Sequence, residues 1–162
     1  MNTGTKIYKN SVKIMLIKEI ELSESVAAEL IALSEDWEQE NSCYGYRKND
    51  SDEFKGKRIF VVTDGDLICG YLFGHNITAG QDTCVYKAGT EYFEIDELYV
   101  KPQYRNCGIG KKLFKYAEKA VSSDVSLIML CTATKNFRAI LHFYVDELWM
   151  DFRSACLFKK LK

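Results

Sequence analysis

The sequence lacks several features that would assign it to a class at once. It has one proline and two histidines, and no apolar run reaches the length of a membrane span. The N-terminus shows no long apolar stretch of a signal peptide, so we expect a cytoplasmic protein without a membrane partner. The net charge of −1 gives no overall attraction to nucleic acid, which we also exclude as an expected partner.

The six cysteines lack the spacing of a metal site or a disulfide framework. There is no CxxC pair and no Cys/His cluster, and the histidines (His75 and His142) are far apart, so no metal site is predicted. Cys69 and Cys131 lie in apolar runs typical of strands, where cysteine behaves as a small hydrophobic residue. Free thiols fit a reducing cytoplasm.

Length and composition predict one domain over residues 1–162, with residues 1–11 loosely ordered. Apolar residues make up 47% of the chain, enough for a substantial core. The hydrophobic periodicity predicts strands at 12–20, 58–63, 67–75, 91–100, 125–133 and 152–161, and helices at 24–40, 108–122 and 136–148. This order predicts an α/β fold, in which helices flank a central, twisted, mixed sheet of about six to seven strands.

The predicted strand at 91–100 changes its side-chain parity part-way. Its apolar positions switch from odd to even numbers, at Phe93, Ile95, Leu98 and Val100. Because strand side chains alternate strictly between two faces, one extra residue is expected near Asp96 and Glu97. Such an insertion is a β-bulge.

The stretch "YRNCGIGKK", residues 104–112, joins this strand to an amphipathic helix. Its glycines are too close together for the nucleotide P-loop, and the third glycine of the dinucleotide fingerprint is missing. The pattern Arg-x-x-Gly-x-Gly remains, in which glycines let the backbone approach an anion and free N–H groups point at it. Lys111 and Lys112 would then face a pyrophosphate. The alternative is an ordinary strand-to-helix turn.

The segment "DELYVKPQYRNCGIGKKLF", residues 96–114, closely resembles the central motif of GNAT-type N-acetyltransferases. "TKNFRAILHFYVDEL" is similar to the family's following motif, and the resemblance covers residues 58–160. It implies acetyl-CoA as cosubstrate, with the pyrophosphate on the loop amides, the pantetheine along the preceding strand and a bulge in that strand. The implied cofactor-binding residues are Leu98, Tyr99, Val100, Arg105, Asn106, Cys107, Gly108, Ile109, Gly110, Lys111 and Asn136.

Acetyl transfer to an amine requires a donor to the thioester carbonyl, a base and an acid. The backbone N–H of Tyr99 or Val100 is the candidate donor. For the base, the strand offers Glu94, Asp96 and Glu97. Repulsion between these carboxylates and partial burial would raise the pKa of one of them towards neutrality. Glu97, next to the bulge, is our first choice and Glu94 our second. These carboxylates can alternatively bind the amine without moving its proton.

The acid is expected on the last helix. The family usually has a tyrosine seven residues after an asparagine that contacts CoA. Asn136 fits the asparagine, but the seventh residue after it is Phe143, and Tyr144 follows. An inserted residue, as in a π-bulge, accounts for this offset. We therefore predict Tyr144 as the acid, with a packing role as the alternative.

Acidic residues are concentrated at 35–53 and in the strand around Glu94. This charge favours a cationic small-molecule acceptor with a primary amine, polyamine-like or aminoglycoside-like. A protein lysine side chain or N-terminus is the enzymatic alternative. The non-enzymatic alternative is a module that binds acetyl-CoA without catalysis and regulates a partner. Exposed sheet edges and the strand at 152–161 permit a homodimer.

Overall fold

A five-stranded sheet organises residues 15–161, the part of the chain that the computed structural model describes. The strands are β1 (Met15–Ile20), β2 (Arg58–Asp64), β3 (Leu67–Thr78), β4 (Glu91–Val100) and β5 (Leu127–Leu130). They lie side by side in chain order. Strands β1 to β4 are antiparallel, and β5 joins β4 in parallel. The predicted mixed α/β fold is confirmed, with fewer strands than expected; residues 1–11 and the start of the first predicted strand lie outside the described residues.

The helices begin close to their predicted positions. They are α1 (Glu24–Glu40), α2 (Ile109–Val121) and α3 (Phe137–Leu141), which continues as a π-helix over His142–Glu147; short 3-10 turns cover Ser51–Phe54 and Pro102–Tyr104. Ser23 caps α1, because its side-chain oxygen accepts from the Val26 N–H at 3.2 Å. Within residues 15–161, every helix is too short or too polar to span a bilayer.

Both faces of the sheet are covered, with α1 on one side and α2 on the other. Strand β2 shows the consequence: Phe60 and Val62 pack in the cluster that contains α2, while Ile59 and Val61 pack in the cluster that contains α1. A strand that is buried on both faces is apolar at consecutive positions, which explains the run "IFVV".

The predicted bulge is present in β4. Phe73 of β3 pairs with Glu97, whereas the next residue, Gly74, pairs with Ile95, so Asp96 is the extra residue. A Cβ atom on Gly74 would overlap the Glu94 carbonyl oxygen. Glycine at this position of β3 therefore allows β4 to approach closely at the bulge.

Beyond the bulge, one edge of β4 is open. Strand β5 pairs with β4 only from Tyr92 to Ile95, so residues 96–100 have β3 on one side and no described strand on the other. The Lys101 N–H donates to the Cys69 carbonyl on β3 at 2.9 Å. Because N–H groups alternate between the two edges of a strand, the Val100 N–H faces the open edge.

The prediction of a final strand at 152–161 is wrong. The chain leaves the π-helix through Trp149, which has a φ of 61°, and residues 152–161 form no strand. Their backbone makes no hydrogen bond to the backbone of residues 15–161, and Leu157 is 91% exposed. Strand propensity is realised only where another strand pairs with the segment, and none of the described strands pairs with this one.

Strand β5 is also shorter than the predicted strand at 125–133. It ends at Leu130, so Cys131 is exposed and lies outside the strand in which its apolar run was predicted to place it. Cys69 is buried as predicted, and its thiol donates to the Val62 carbonyl at 3.2 Å. All six cysteines are free thiols.

Candidate functional site

The turn that opens α2 has a backbone conformation suited to glycine and faces open space. Gly108 caps the helix with a φ of 77°, and a Cβ atom added to it would meet nothing within 4 Å. The N–H groups of Asn106, Cys107 and Gly108 make no backbone hydrogen bond with residues 15–161. Free N–H groups at a helix N-terminus attract an anion.

Two lysines add positive charge to this turn. Lys111 and Lys112 lie in the first turn of α2 and form no ion pair with any residue in the described part of the chain. They lie at the positive end of the helix dipole, which is unfavourable unless an anion binds there. The open turn, the free N–H groups and the lysines fit a pyrophosphate. Ile109 packs in the core beneath them.

Arg105 serves a different purpose from the rest of the loop. Its guanidinium pairs with both carboxylate oxygens of Glu40 on α1, at 3.0 and 2.8 Å, and its Nε donates to the Val100 carbonyl at 2.6 Å. Its backbone N–H donates to the Pro102 carbonyl. Arg105 therefore fastens the loop and the end of β4 to α1, with three hydrogen bonds from its guanidinium.

The three acidic residues of β4 have three different environments. Asp96 is neutralised by Lys57, whose Nζ lies 2.8 Å away, and contacts His75 at 3.1 Å. Glu94 lines a cleft and has no ion pair within residues 15–161. Glu97 is largely enclosed by hydrogen-bond donors. Of the three carboxylates, Asp96 alone is paired with a cation in the described part of the chain, and the two predicted base candidates, Glu94 and Glu97, are not.

Three side chains donate hydrogen bonds to Glu97. They reach one oxygen, Oε2, at 2.7 Å from the Tyr71 hydroxyl, 2.9 Å from the Asn49 amide and 3.2 Å from the Tyr46 hydroxyl. Burial raises the pKa of Glu97 above its ordinary value, although the three donors lower it. Nothing in the sequence singled out Asn49, because it lies in a polar connection without periodicity.

A cleft of about 410 Å³ opens beside Glu97. Its lining residues are Asp52, Glu53, Lys57, Phe73, Glu94, Ile95, Asp96, Glu97 and Cys131. Lys57 is the only cation among them, and it is paired with Asp96. The cleft is therefore acidic and suits a cationic molecule.

The acidic region at 35–53 contributes less to this cleft than its composition suggests. Glu35 pairs with Lys48 at 3.2 Å, and Glu38 pairs with Arg47 at 3.5 Å. These two ion pairs neutralise two of the seven acidic residues in the region. Only Asp52 and Glu53 of the region reach the cleft, and Asp52 pairs with Lys55.

The π-helix accounts for the shifted tyrosine. The Leu148 N–H donates to the Phe143 carbonyl, five residues earlier, so the helix holds the predicted extra residue. A carbon of the Phe143 ring would lie 3.5 Å from a Cβ atom placed on Gly110. Phe143 thus packs against the start of α2.

Tyr144 is partly buried beside the core cluster of α2, and its ring packs edge-on against Phe114. Burial raises the pKa of Tyr144 to about 12. Its hydroxyl therefore stays protonated at neutral pH, and it donates to no described residue. Asn136, at the start of α3, has an exposed side chain without a hydrogen bond to the described residues.

The comparisons with known proteins agree with this geometry. The sequence profile of the acetyltransferase (GNAT) family matches residues 21–146. The chain belongs to the GNAT family. It is therefore an acetyltransferase that takes acetyl-CoA as cosubstrate, as the resemblance of its central motif implied. No curated protein matches the sequence.

Solved structures share the GNAT fold. An aminoglycoside acetyltransferase from an uncultured soil metagenomic sample, in complex with sisomicin, has a TM-score of 0.63 and 18% identity, over 91% of this chain and 97% of that one. AAC(6')-Iy, in complex with the bisubstrate analogue CoA-S-monomethyl-acetylneamine, has a TM-score of 0.63 and 12% identity, over 92% and 99%. A protein from Clostridium acetobutylicum with acetyl-CoA, described as a predicted acetyltransferase, has a TM-score of 0.63 and 15% identity, over 92% and 96%.

The turn at Gly108 makes a direct prediction about CoA binding. Gly108→Glu places a negative side chain in the open space, and we expect it to abolish the rise in melting temperature that CoA causes. Gly89→Glu is the matched control, because Gly89 also has a positive φ (84°) and open space around it, but lies in another connection. Both variants carry a similar backbone strain of roughly 1–2 kcal/mol. Full CoA stabilisation of the Gly108 variant would show that the turn does not hold the pyrophosphate.

Proposed function

We propose that this GNAT chain acts as a single domain and transfers an acetyl group from acetyl-CoA to the primary amine of a cationic small molecule, polyamine-like or aminoglycoside-like. One observation carries the proposal: Glu97, with a raised pKa, borders an acidic cleft beside the open edge of β4. The similar structures in complex with sisomicin and with CoA-S-monomethyl-acetylneamine support an aminoglycoside-like acceptor.

The cofactor-binding residues would hold acetyl-CoA along the open edge of β4 and the following turn. Acetyl-CoA supplies the acetyl thioester. The N–H groups of residues 106–111, with Lys111, bind the pyrophosphate, and Leu98, Tyr99 and Val100 flank the pantetheine. Of the two predicted donors to the thioester carbonyl, we choose the Val100 N–H, because it faces the open edge and the Tyr99 N–H faces β3. Asn136, with its free side chain, adds a polar contact.

The proton transfers fall to Glu97 and Tyr144. The Glu97 carboxylate takes a proton from the acceptor ammonium, directly or through water, and its raised pKa makes it a stronger base than an ordinary glutamate. The free amine then attacks the acetyl carbonyl directly, a C–N bond forms and the C–S bond breaks, and the nitrogen loses its second proton to water as the amide forms. The Tyr144 hydroxyl, protonated at neutral pH, gives its proton to the departing thiolate and takes one back from water, while Glu97 releases its proton to solvent.

Two further carboxylates select the acceptor. Glu53 and Glu94 line the cleft and have no ion pair within the described residues. A second ammonium group on the acceptor would neutralise them. This arrangement favours molecules with more than one amine, such as polyamines and aminoglycosides.

Thiol release with a panel of polyamines and aminoglycosides tests the function. We expect release above the rate of hydrolysis, and a kcat/KM that rises with pH through the Glu97 pKa, because the base must be deprotonated. This acid limb lies above that of an ordinary glutamate, since burial raises the pKa. Glu97→Gln should lower kcat by roughly 10² to 10⁴-fold and remove the limb.

Glu94→Gln separates the two base candidates. If Glu94 binds the acceptor, this variant raises KM for the amine and keeps the pH dependence. Loss of the acid limb in the Glu94 variant, with an intact limb in the Glu97 variant, would make Glu94 the base. If no amine exceeds hydrolysis although CoA binds, the chain is a non-catalytic acetyl-CoA-binding module.

Tyr144→Phe tests the acid. Removal of the hydroxyl should lower kcat by roughly 10²-fold, while the apparent affinity for acetyl-CoA stays unchanged because the ring still packs on Phe114. Tyr116→Phe is the matched control, since Tyr116 lies on the exposed side of α2. Steady-state kinetics at saturating acetyl-CoA give the comparison. A wild-type kcat in the Tyr144 variant would assign Tyr144 to packing.

We also propose a homodimer through the C-terminal surface, which we define as residues 149–161 and the outer edge of β5. Large apolar side chains of this surface are exposed: Trp149, Phe152, Leu157, Phe158 and Leu161. Residues 152–161 make no backbone hydrogen bond with the backbone of residues 15–161, and the outer edge of β5 has no strand partner within the same residues. In a two-fold dimer each segment adds as a strand to β5 of the other copy. The backbone N–H and C=O groups of the segment and of the β5 edge are then hydrogen-bonded to each other.

Light scattering after size-exclusion chromatography tests the dimer. We expect twice the chain mass of 18.6 kDa for the wild type, and a shift to monomer in Leu157→Asp, because a charge would be buried against the partner. Lys159→Asp changes the charge of the same segment without removing an apolar contact and should remain dimeric. A monomeric wild type, or a dimeric Leu157 variant, contradicts this proposal.

A further inference from the structure

The hydrogen bonds of Glu97 treat its two carboxylate oxygens differently. All three donors reach Oε2, whereas Oε1 has no hydrogen-bond partner among residues 15–161. In the same part of the chain, no fully buried side-chain oxygen lacks a partner. Oε1 is therefore not fully enclosed. Since Glu97 lines the acidic cleft, Oε1 is the oxygen of this carboxylate that is left for a molecule in the cleft.

Asn49 is the donor best placed to hold this arrangement. It is only 6% exposed, and its backbone N–H donates to the Ser34 hydroxyl at 3.0 Å. Ser34 is fully buried on α1 and donates in turn to the Ile31 carbonyl at 2.7 Å. A continuous chain of hydrogen bonds thus runs from α1 to the Glu97 carboxylate and fixes the position of the Asn49 side chain.

We propose that Asn49 is a positioning residue, anchored by Ser34, which holds Oε2 of Glu97 so that Oε1 is presented to the acceptor amine. The inference rests on the proposed function, in which Glu97 is the base. Asn49 acts through Glu97 and need not touch the acceptor. A carboxylate free to rotate would offer its oxygens to the cleft at random, whereas a fixed one keeps a single oxygen in place.

The donors around Glu97 determine how its pKa responds to a loss of Asn49. Tyr46 and Tyr71 donate to the carboxylate, and burial raises the pKa of both hydroxyls, so they remain neutral donors. The nearby Cys43 thiol is also neutral, because burial raises its pKa. Asn49 donates to the ionised carboxylate and favours it, so its removal raises the pKa of Glu97.

The charged groups that line the cleft with Glu97 are Glu53, Glu94, Asp96, Asp52 and Lys57. Glu53, from the turn before β2, raises the pKa of Glu97 by charge repulsion. Glu94 lines the same cleft from β4. Lys57 is paired with Asp96 and in contact with His75, which leaves no free cation in the lining. No lining cation is thus available to replace the contribution of Asn49.

Asn49→Ala is the test, with two readouts. The carboxyl pKa of Glu97, measured by carbon-13 NMR on glutamate-labelled protein, should rise by roughly one unit when one hydrogen bond to the charged form is lost. The acid limb of kcat/KM should move up by the same amount, and kcat should fall while KM for acetyl-CoA stays constant. Asn76→Ala is the control, because Asn76 is an exposed asparagine on β3 with no contact to Glu97.

Each outcome decides the inference. If Asn49→Ala folds and both the NMR pKa and the acid limb stay at their wild-type values, Asn49 has only a structural role. If the wild type acetylates no amine, the proposed function fails, yet the NMR titration still shows whether Asn49 controls the Glu97 carboxylate. If Asn49→Ala does not fold, Ser34→Ala replaces it. That variant should shift the pKa of Glu97 upwards by a smaller amount, and an unchanged pKa would overturn the proposal.

Discussion

At Asp96, β4 carries one residue more than β3 opposite it, and every later side chain of β4 moves to the other face. Glu97 consequently points to the α1 side, where Tyr71 and the connection after α1 supply its hydrogen bonds. Val100 points its side chain to the α2 side and its N–H to the open edge. Without the extra residue, Glu97 would face the apolar core beneath α2. The bulge thus places the Glu97 carboxylate on the α1 side of β4 and, three residues later, directs the Val100 N–H to the open edge of the same strand.

Helix α1 is connected to both the Gly108 turn and the surroundings of Glu97. From its C-terminal turn, Glu40 binds the Arg105 guanidinium and holds the phosphate loop against β4. From its buried face, Ser34 anchors Asn49 beside Glu97. The distance between the Gly108 turn and Glu97 therefore depends on one helix. Glu40, the last residue of α1, is paired with Arg105 and does not line the acidic cleft.

The features that sequence could predict have local signals. The bulge follows from a change of parity within ten residues, and the glycine turn from one short pattern. The π-helix follows from the offset between Asn136 and Tyr144. The features it could not predict depend on distant partners: Asn49 lies in a polar connection without periodicity, and Glu40 meets Arg105 only after folding. The segment at 152–161 has a strand pattern, but a strand also needs an edge to pair with, and a local pattern carries no information about such a distant partner.

The proposed function places the acceptor amine in the acidic cleft, within reach of Glu97. A crystal structure with a bisubstrate analogue, CoA joined through its acetyl position to a polyamine, shows where the amine binds. We expect the acceptor nitrogen within hydrogen-bond distance of Glu97 Oε1, with Asn49 still bound to Oε2 and the CoA sulfur near the Tyr144 hydroxyl. An acceptor nitrogen against Glu94, or outside the cleft with Glu97 still enclosed, would contradict this placement.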